Sequence, residues 1–262
     1  MVPMKCCRLF LVPLLFLMTG CAMNQPHLDT GFLNRAVNSE TTEHLYQVFV
    51  PRDYDPGVEW PLILFLHGSG ERGHEGSRPT QEGFGETLRW NPERWPAIVV
   101  FPQAPYEASW VGAAGKTAMA ALHATEAEFS TDPDRIYLTG LSLGGQGTWH
   151  LAHEHPGRFA ALVPVCGFID GNGRYPGVMP AAESDPYGVL AAELTDTPIW
   201  IFHGTDDPVV PVEGARRMAA ALQAVGNDVQ FSELPGVGHN AWDPAYSQED
   251  LATWIFSQKR RK

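Results

Sequence analysis

Three residues far apart in this 262-residue chain have the types needed to make an alcohol attack a carbonyl at neutral pH: Ser142, Asp207 and His239. Ser142 stands in Gly140-Leu141-Ser142-Leu143-Gly144, after the β-favouring run Ile136-Tyr137-Leu138-Thr139 and before a helix-compatible segment from Gly145 to His155. A serine on such a strand-to-helix turn is held in a strained conformation with its hydroxyl above the sheet edge. Gly140 and Gly144, two residues to either side, supply the room this requires. The Leu143 N–H, at the start of the following helix, points to where a tetrahedral intermediate develops its negative oxygen.

Serine at its free pKa is a poor nucleophile, so a base and an orienting acid must exist. In a strand–turn–helix architecture they follow in the order Ser, acid, His, each on a loop after a strand. The segment His203-Gly204-Thr205-Asp206-Asp207-Pro208 leaves the apolar run Ile199-Trp200-Ile201-Phe202 and carries two candidate acids. Asp207 is favoured because Pro208 restricts it to extended conformations and so fixes its aim. Asp206 reads as a turn or cap residue. Of the ten histidines only His239, in Gly236-Val237-Gly238-His239-Asn240, lies downstream of the acid. A second oxyanion donor is expected where the apolar run Pro61 to Leu66 opens into His67-Gly68-Ser69-Gly70, from the backbone N–H of Ser69 or, next in order, of Gly70. Trp110 and Trp242 fall on loops expected at the same rim, where they either line a substrate pocket or simply pack. His150, His153 and His155 lack the carboxylate or cysteine spacing of a metal site and read as surface residues, so no metal is expected.

The elements that must position these residues are legible as alternating strand-like and helix-like runs, which favour a mostly parallel sheet covered by helices. The length suits one large α/β domain and no second one. Beyond the segments already named, strands are expected from Leu45 to Val50 at a sheet edge, over Ile98 to Phe101, Ala160 to Cys166 and Val229 to Leu234. Helices are expected over Lys116 to Phe129, Val212 to Val225 and Asp250 to Gln258. Residues 71–95 are too long for a tight connection and read as a wrap over the top of the sheet. Residues 168–197 read as a small cap with a short helix near Tyr187 to Leu194. No internal repeat or heptad pattern is present.

A net charge of −12 argues against nucleic acid or an anionic membrane surface as a partner. Lys5 and Arg8 precede an apolar run from Leu9 to Met18 that closes in Thr19-Gly20-Cys21, so residues 1–20 read as an export signal, too short for a membrane span. The string L-M-T-G-C resembles a bacterial lipoprotein processing site. It implies that Cys21 is lipidated, that residues 21–43 form a tether, and that the protein is held to the cell envelope, on the outer membrane or facing the periplasm, through this anchor alone. Cys166 is then the one cysteine left in the domain, a buried and inert thiol with no disulfide partner.

Taken together, L-H-G-S-G-E-R-G (residues 66–73), P-Q-A-P (102–105), D-P-D-R-I-Y-L-T-G-L-S-L-G-G-Q-G-T-W (132–149), H-G-T-D-D-P-V-V-P (203–211) and G-V-G-H (236–239) resemble the α/β-hydrolase fold. More narrowly they resemble its phospholipase/carboxylesterase and feruloyl-esterase-like branch, related to the prolyl-oligopeptidase-type hydrolases, over residues 44–258. The resemblance implies an eight-stranded, mostly parallel sheet flanked by helices. It also implies Ser142, Asp207 and His239 as nucleophile, acid and base, and ester hydrolysis through an acyl-enzyme with no metal or organic cofactor. By analogy the substrate is a small or polysaccharide-borne ester of acetyl or feruloyl type. A serine peptidase and a non-catalytic, lipid-anchored binding protein are the two other readings of the same scaffold.

Overall fold

The computed structural model of the protein describes residues 1–2, 29–38 and 42–260. The lipidation residue Cys21 and all but the first two residues of the expected export segment lie outside the described residues. Eight strands form one sheet: β1 (Gly31–Asn38), β2 (Glu43–Val50), β3 (Trp60–Leu66), β4 (Ile98–Pro102), β5 (Thr131–Leu141), β6 (Ala161–Val165), β7 (Trp200–Gly204) and β8 (Gln230–Leu234), in the order β1-β2-β4-β3-β5-β6-β7-β8. β1 and β2 enter antiparallel, and every pairing from β4 to β8 is parallel. The helices are α1 (Phe84–Trp90), α2 (Ala113–Glu128), α3 (Leu143–Glu154), α4 (Pro186–Glu193), α5 (Glu213–Ala224), α6 (Trp242–Ser247) and α7 (Leu251–Ser257).

The near-continuous apolar strands are explained by a core on each face. Along β3, Leu62, Leu64 and Leu66 point into one cluster with Leu122 of α2, Trp149 of α3, Leu190 of α4 and Met218 of α5. Ile63 and Phe65, one residue out of phase, point into another with Phe84 of α1, Tyr246 of α6 and Ile255 of α7. The period of two along a strand sends alternate side chains to opposite faces, and a strand covered on both must be apolar throughout. Helices lie on both faces, as in an α/β-hydrolase fold.

Three elements differ from the sequence expectation. Residues 31–38, expected within the tether, form β1 and pair with β2 over their whole length. β2 is consequently an interior strand and not the edge. Residues 71–95 do more than wrap the top of the sheet, because Phe84, Leu88 and Trp95 are buried in the second core. The segment 168–197 carries α4 close to the expected place, but Ile169, Val178, Met179, Tyr187 and Leu190 sink into the first core.

Candidate active site

All parallel strands run the same way, so the loops after β3, β5, β6, β7 and β8 emerge at one rim, the usual place for a site in an open α/β sheet. Ser142 stands between β5 and α3 with φ 53° and ψ −111°, a left-handed conformation that a side chain rarely takes. Its N–H donates to the Val165 carbonyl at 2.9 Å, and its own carbonyl accepts from the Gln146 N–H at 3.0 Å, so the sheet and the first turn of α3 hold the bend. A side chain on Gly144 would overlap the Leu66 carbonyl, and one on Gly140 would overlap the Gly144 carbonyl. Both glycines are therefore required by close backbone approach, as the sequence predicts.

His239, on the loop after β8, sits with Nε2 2.9 Å from Ser142 Oγ and Nδ1 2.8 Å from Asp207 Oδ2. A carboxylate only accepts, so Nδ1 carries the proton and Nε2 is the acceptor for the serine hydroxyl. The other carboxylate oxygen of Asp207 accepts from the N–H groups of Val209 at 2.8 Å and Val210 at 2.9 Å. Burial pushes this carboxyl up, but the hydrogen bond from His239 and these two N–H groups outweigh it and leave Asp207 below its ordinary value. Asp206 is exposed and accepts instead from the Thr205 hydroxyl, outside the site.

Two histidines escaped the sequence reading. His203 is fully buried beneath Asp207, with Nε2 2.8 Å from the Val210 carbonyl and 3.3 Å from Asp207 Oδ2. Burial lowers its pKa, so it is a neutral imidazole bracing the acid loop. His67, also fully buried, is pushed down to about 4 by burial. Its Nε2 accepts from the Ala104 N–H at 3.0 Å, so its Nδ1–H donates to the Gly68 carbonyl at 2.6 Å. Both histidines end or follow an apolar strand run and precede a glycine. That is the sequence signal that separates them from surface histidines.

The remaining candidates are placed as follows. Leu143 is the first residue of α3, so its N–H has no carbonyl one turn back. Ser69 is half-buried in the turn after β3, the strand that pairs Leu66 with Gly140 directly before the Ser142 bend. Trp242 meets the His239 ring edge to face at 5.6 Å, on the rim. Trp110 is fully buried and does not line an open pocket, because its Nε1–H donates to the His67 carbonyl at 3.0 Å and its ring packs on the His67 edge. Cys166 is fully buried with φ 38°, and burial raises its thiol pKa strongly. Its sulfur, a His239 ring nitrogen and an Asp207 oxygen all lie within 4.8 Å of one another. His150 is buried and not on the surface. It accepts from the Gly112 N–H at 3.4 Å, whereas His153 pairs with Glu193 at 2.7 Å. Beside the acid loop, a cleft of about 290 Å³ is lined by Phe168, Tyr187, Val210 and Arg217 among others.

The chain is 32% identical to a thermostable esterase of known structure, with a TM-score of 0.73 over 87% of this chain and 63% of that one. It is 27% identical over 208 residues to a probable feruloyl esterase C of Aspergillus terreus, covering 77% of this chain and 66% of the relative. It is 26% identical over 206 residues to an uncharacterized secreted protein of Arthroderma benhamiae, covering 71% of this chain and 22% of that protein. The chain thus spans no more than about two thirds of the length of any of the three. Residues 107–250, more than half of the sequence and including all three members of the Ser–His–Asp arrangement, match the profile of the dienelactone hydrolase family, and the chain belongs to that family.

Proposed function

We propose that this chain hydrolyses carboxylic esters through an acyl-enzyme formed on Ser142. One observation carries the reading: an unbroken line of contacts from Ser142 Oγ to His239 Nε2 at 2.9 Å and from His239 Nδ1 to Asp207 Oδ2 at 2.8 Å. As Oγ attacks the ester carbonyl, its proton passes to Nε2 and the carbonyl electron pair moves onto oxygen, where the Leu143 and Ser69 N–H groups stabilise it. Asp207 holds the tautomer and balances the imidazolium. Collapse of the intermediate breaks the bond to the alcohol, which leaves with the Nε2 proton. Water then attacks the acyl-serine, gives a proton to Nε2, and the acid departs as that proton returns to Oγ.

Short acyl or aryl esters of acetyl or feruloyl type, carried on carbohydrate, are the substrates this reading favours. Support comes from the esterase names of two relatives and from the half-buried, aromatic flank that Trp242 gives His239. Ser142→Ala is expected to abolish turnover of a short p-nitrophenyl ester and labelling by a fluorophosphonate, with unchanged circular dichroism. Retained turnover in that variant would sink the assignment. The same proposal places the enzyme outside the cytoplasm, anchored through Cys21, with residues 1–20 removed. In a bacterial host, radiolabelled palmitate should enter the wild type and not Cys21→Ser, and equal labelling of both would refute the anchor.

A further inference from the structure

The motif residue Arg72 has no part in the chemistry described so far, yet it contacts the turn that supplies the proposed second oxyanion donor. Three successive carbonyls of that turn are each held by a side chain. The His67 carbonyl accepts from Trp110 Nε1 at 3.0 Å, the Gly68 carbonyl accepts from His67 Nδ1 at 2.6 Å, and the Ser69 carbonyl accepts from Arg72 Nε at 2.9 Å. In a trans peptide the carbonyl and the following N–H point in opposite directions. Holding the Gly68 carbonyl therefore aims the Ser69 N–H, and holding the Ser69 carbonyl aims the Gly70 N–H and fixes the plane of the peptide after Ser69. Among the described residues neither N–H is hydrogen-bonded to a protein acceptor.

The first two anchors, Trp110 and His67, are fully buried and cannot move without disturbing the core. The third is a half-buried, flexible side chain, so the outer peptide of the turn is only as fixed as Arg72 is. Two further contacts hold it. Nη1 reaches the Ala108 carbonyl at 3.5 Å, and the guanidinium lies 5.7 Å from the centroid of the Tyr175 ring in the segment between β6 and β7. Arg174 covers the same ring at 5.3 Å. A planar fork that bridges two carbonyls while its face meets a ring is a task for arginine and not lysine. Arg72 has no carboxylate partner among the ion pairs of the described residues, whereas seven of the twelve arginines described there have one. Its donors are committed to the backbone of the site.

We propose that Arg72 is a positioning residue that sets the geometry of the oxyanion turn and ties that turn to the Tyr175 segment. The proposal rests on the reading of Ser142 as the nucleophile. Arg72 fixes the peptide on the far side of Ser69, so its loss frees the residue that carries the proposed donor to rotate. A donor that is misaimed harms the transition state more than the ground state. Arg72→Ala is therefore expected to lower kcat for a short p-nitrophenyl ester about tenfold or more, with KM within about threefold of wild type. The inhibition constant of an arylboronic acid, which places a negative oxygen in the same position, should weaken in parallel. Arg72→Met keeps the apolar stem and loses the donors, so it gives the same result if the alanine variant does not fold. A kcat within twofold of wild type in a folded variant, or a loss confined to KM with boronate affinity intact, overturns the proposal. Ser142→Ala separates the two readings. If it is inactive while Arg72→Ala matches wild type, the nucleophile stands and the positioning role falls.

Discussion

Glu71 turns its carboxyl back toward the oxyanion turn, close enough that a Cβ on Gly68 would lie 3.2 Å from its Oε2. Burial raises its pKa first and the neighbouring Glu82 carboxyl raises it further, to about 7 from an ordinary 4.5. Between these two values the folded chain binds a proton that the unfolded chain has released, so this group's contribution to stability is present below about 4.5 and is lost as pH climbs through about 7. Glu71→Gln keeps the shape of the protonated acid and cannot ionise. The variant should match wild type in thermal unfolding near about pH 5 and exceed it by about 2–4 °C near about pH 8. An identical difference at both pH values would mean that Glu71 does not hold a proton in the folded chain above its ordinary value. The sequence places Glu71 in a motif, yet nothing in it brings Glu82 alongside. That approach comes from the fold of residues 71–83, which carry no period to read.

At the scale of elements, β1 is the part of the fold the sequence concealed. From Leu33 onward its residues alternate between half-buried and exposed and none is buried, because only one edge is paired and neither face is fully covered. An export segment followed by a polar stretch therefore read as a tether. The strand is nevertheless tied in place. Phe32 meets the Phe49 and Phe101 rings, Leu33 and Val37 pack on the first core, and Arg35 forms a 2.5 Å ion pair with Glu128 at the end of α2. The chain lacking residues 1–28, which retains β1, is the reference for this test. Removing residues 1–42 takes three apolar anchors, each contributing about 1 kcal/mol when half-buried, and exposes the flank of β2 as an unpaired edge. The longer deletion is expected to lower Tm by about 6 °C or more and to promote aggregation, and equal stability of the two truncations would show β1 to be dispensable. The buried central strands, by contrast, were legible because a sheet covered on both faces demands unbroken apolar runs. The order Ser142, Asp207, His239 was legible because parallel crossovers return every loop to one rim. His150 was misjudged as a surface residue, and Trp110 was left open between pocket and packing, for a shared reason: each polar tip found a backbone partner inside the fold, a match that no local pattern records.

For the molecule as a whole, the net charge of −12 surrounds a site whose own anion, Asp207, is nine-tenths buried and already paired with His239. Approach of a substrate is therefore governed by the general surface field and not by a local charge at the nucleophile. A field of this sign repels a polyanion and leaves a neutral ester unaffected, and it fades once salt shortens the Debye length to about 10 Å or less, near 0.1 M. If the proposed substrates are carbohydrate-borne, kcat/KM for an acetyl ester on an anionic polysaccharide should rise about three- to tenfold between roughly 0.01 M and 0.3 M salt. The same ester on a neutral polysaccharide should change by less than about twofold. The ratio of the two salt responses isolates encounter from chemistry, because both polymers present the same acyl group to Ser142. Parallel salt dependence for the two polymers would place the selectivity in the cleft lined by Phe168, Tyr187 and Arg217. A falling rate on the anionic polymer would point instead to an exposed cation, of which Arg174, over the Tyr175 ring, is the first to replace.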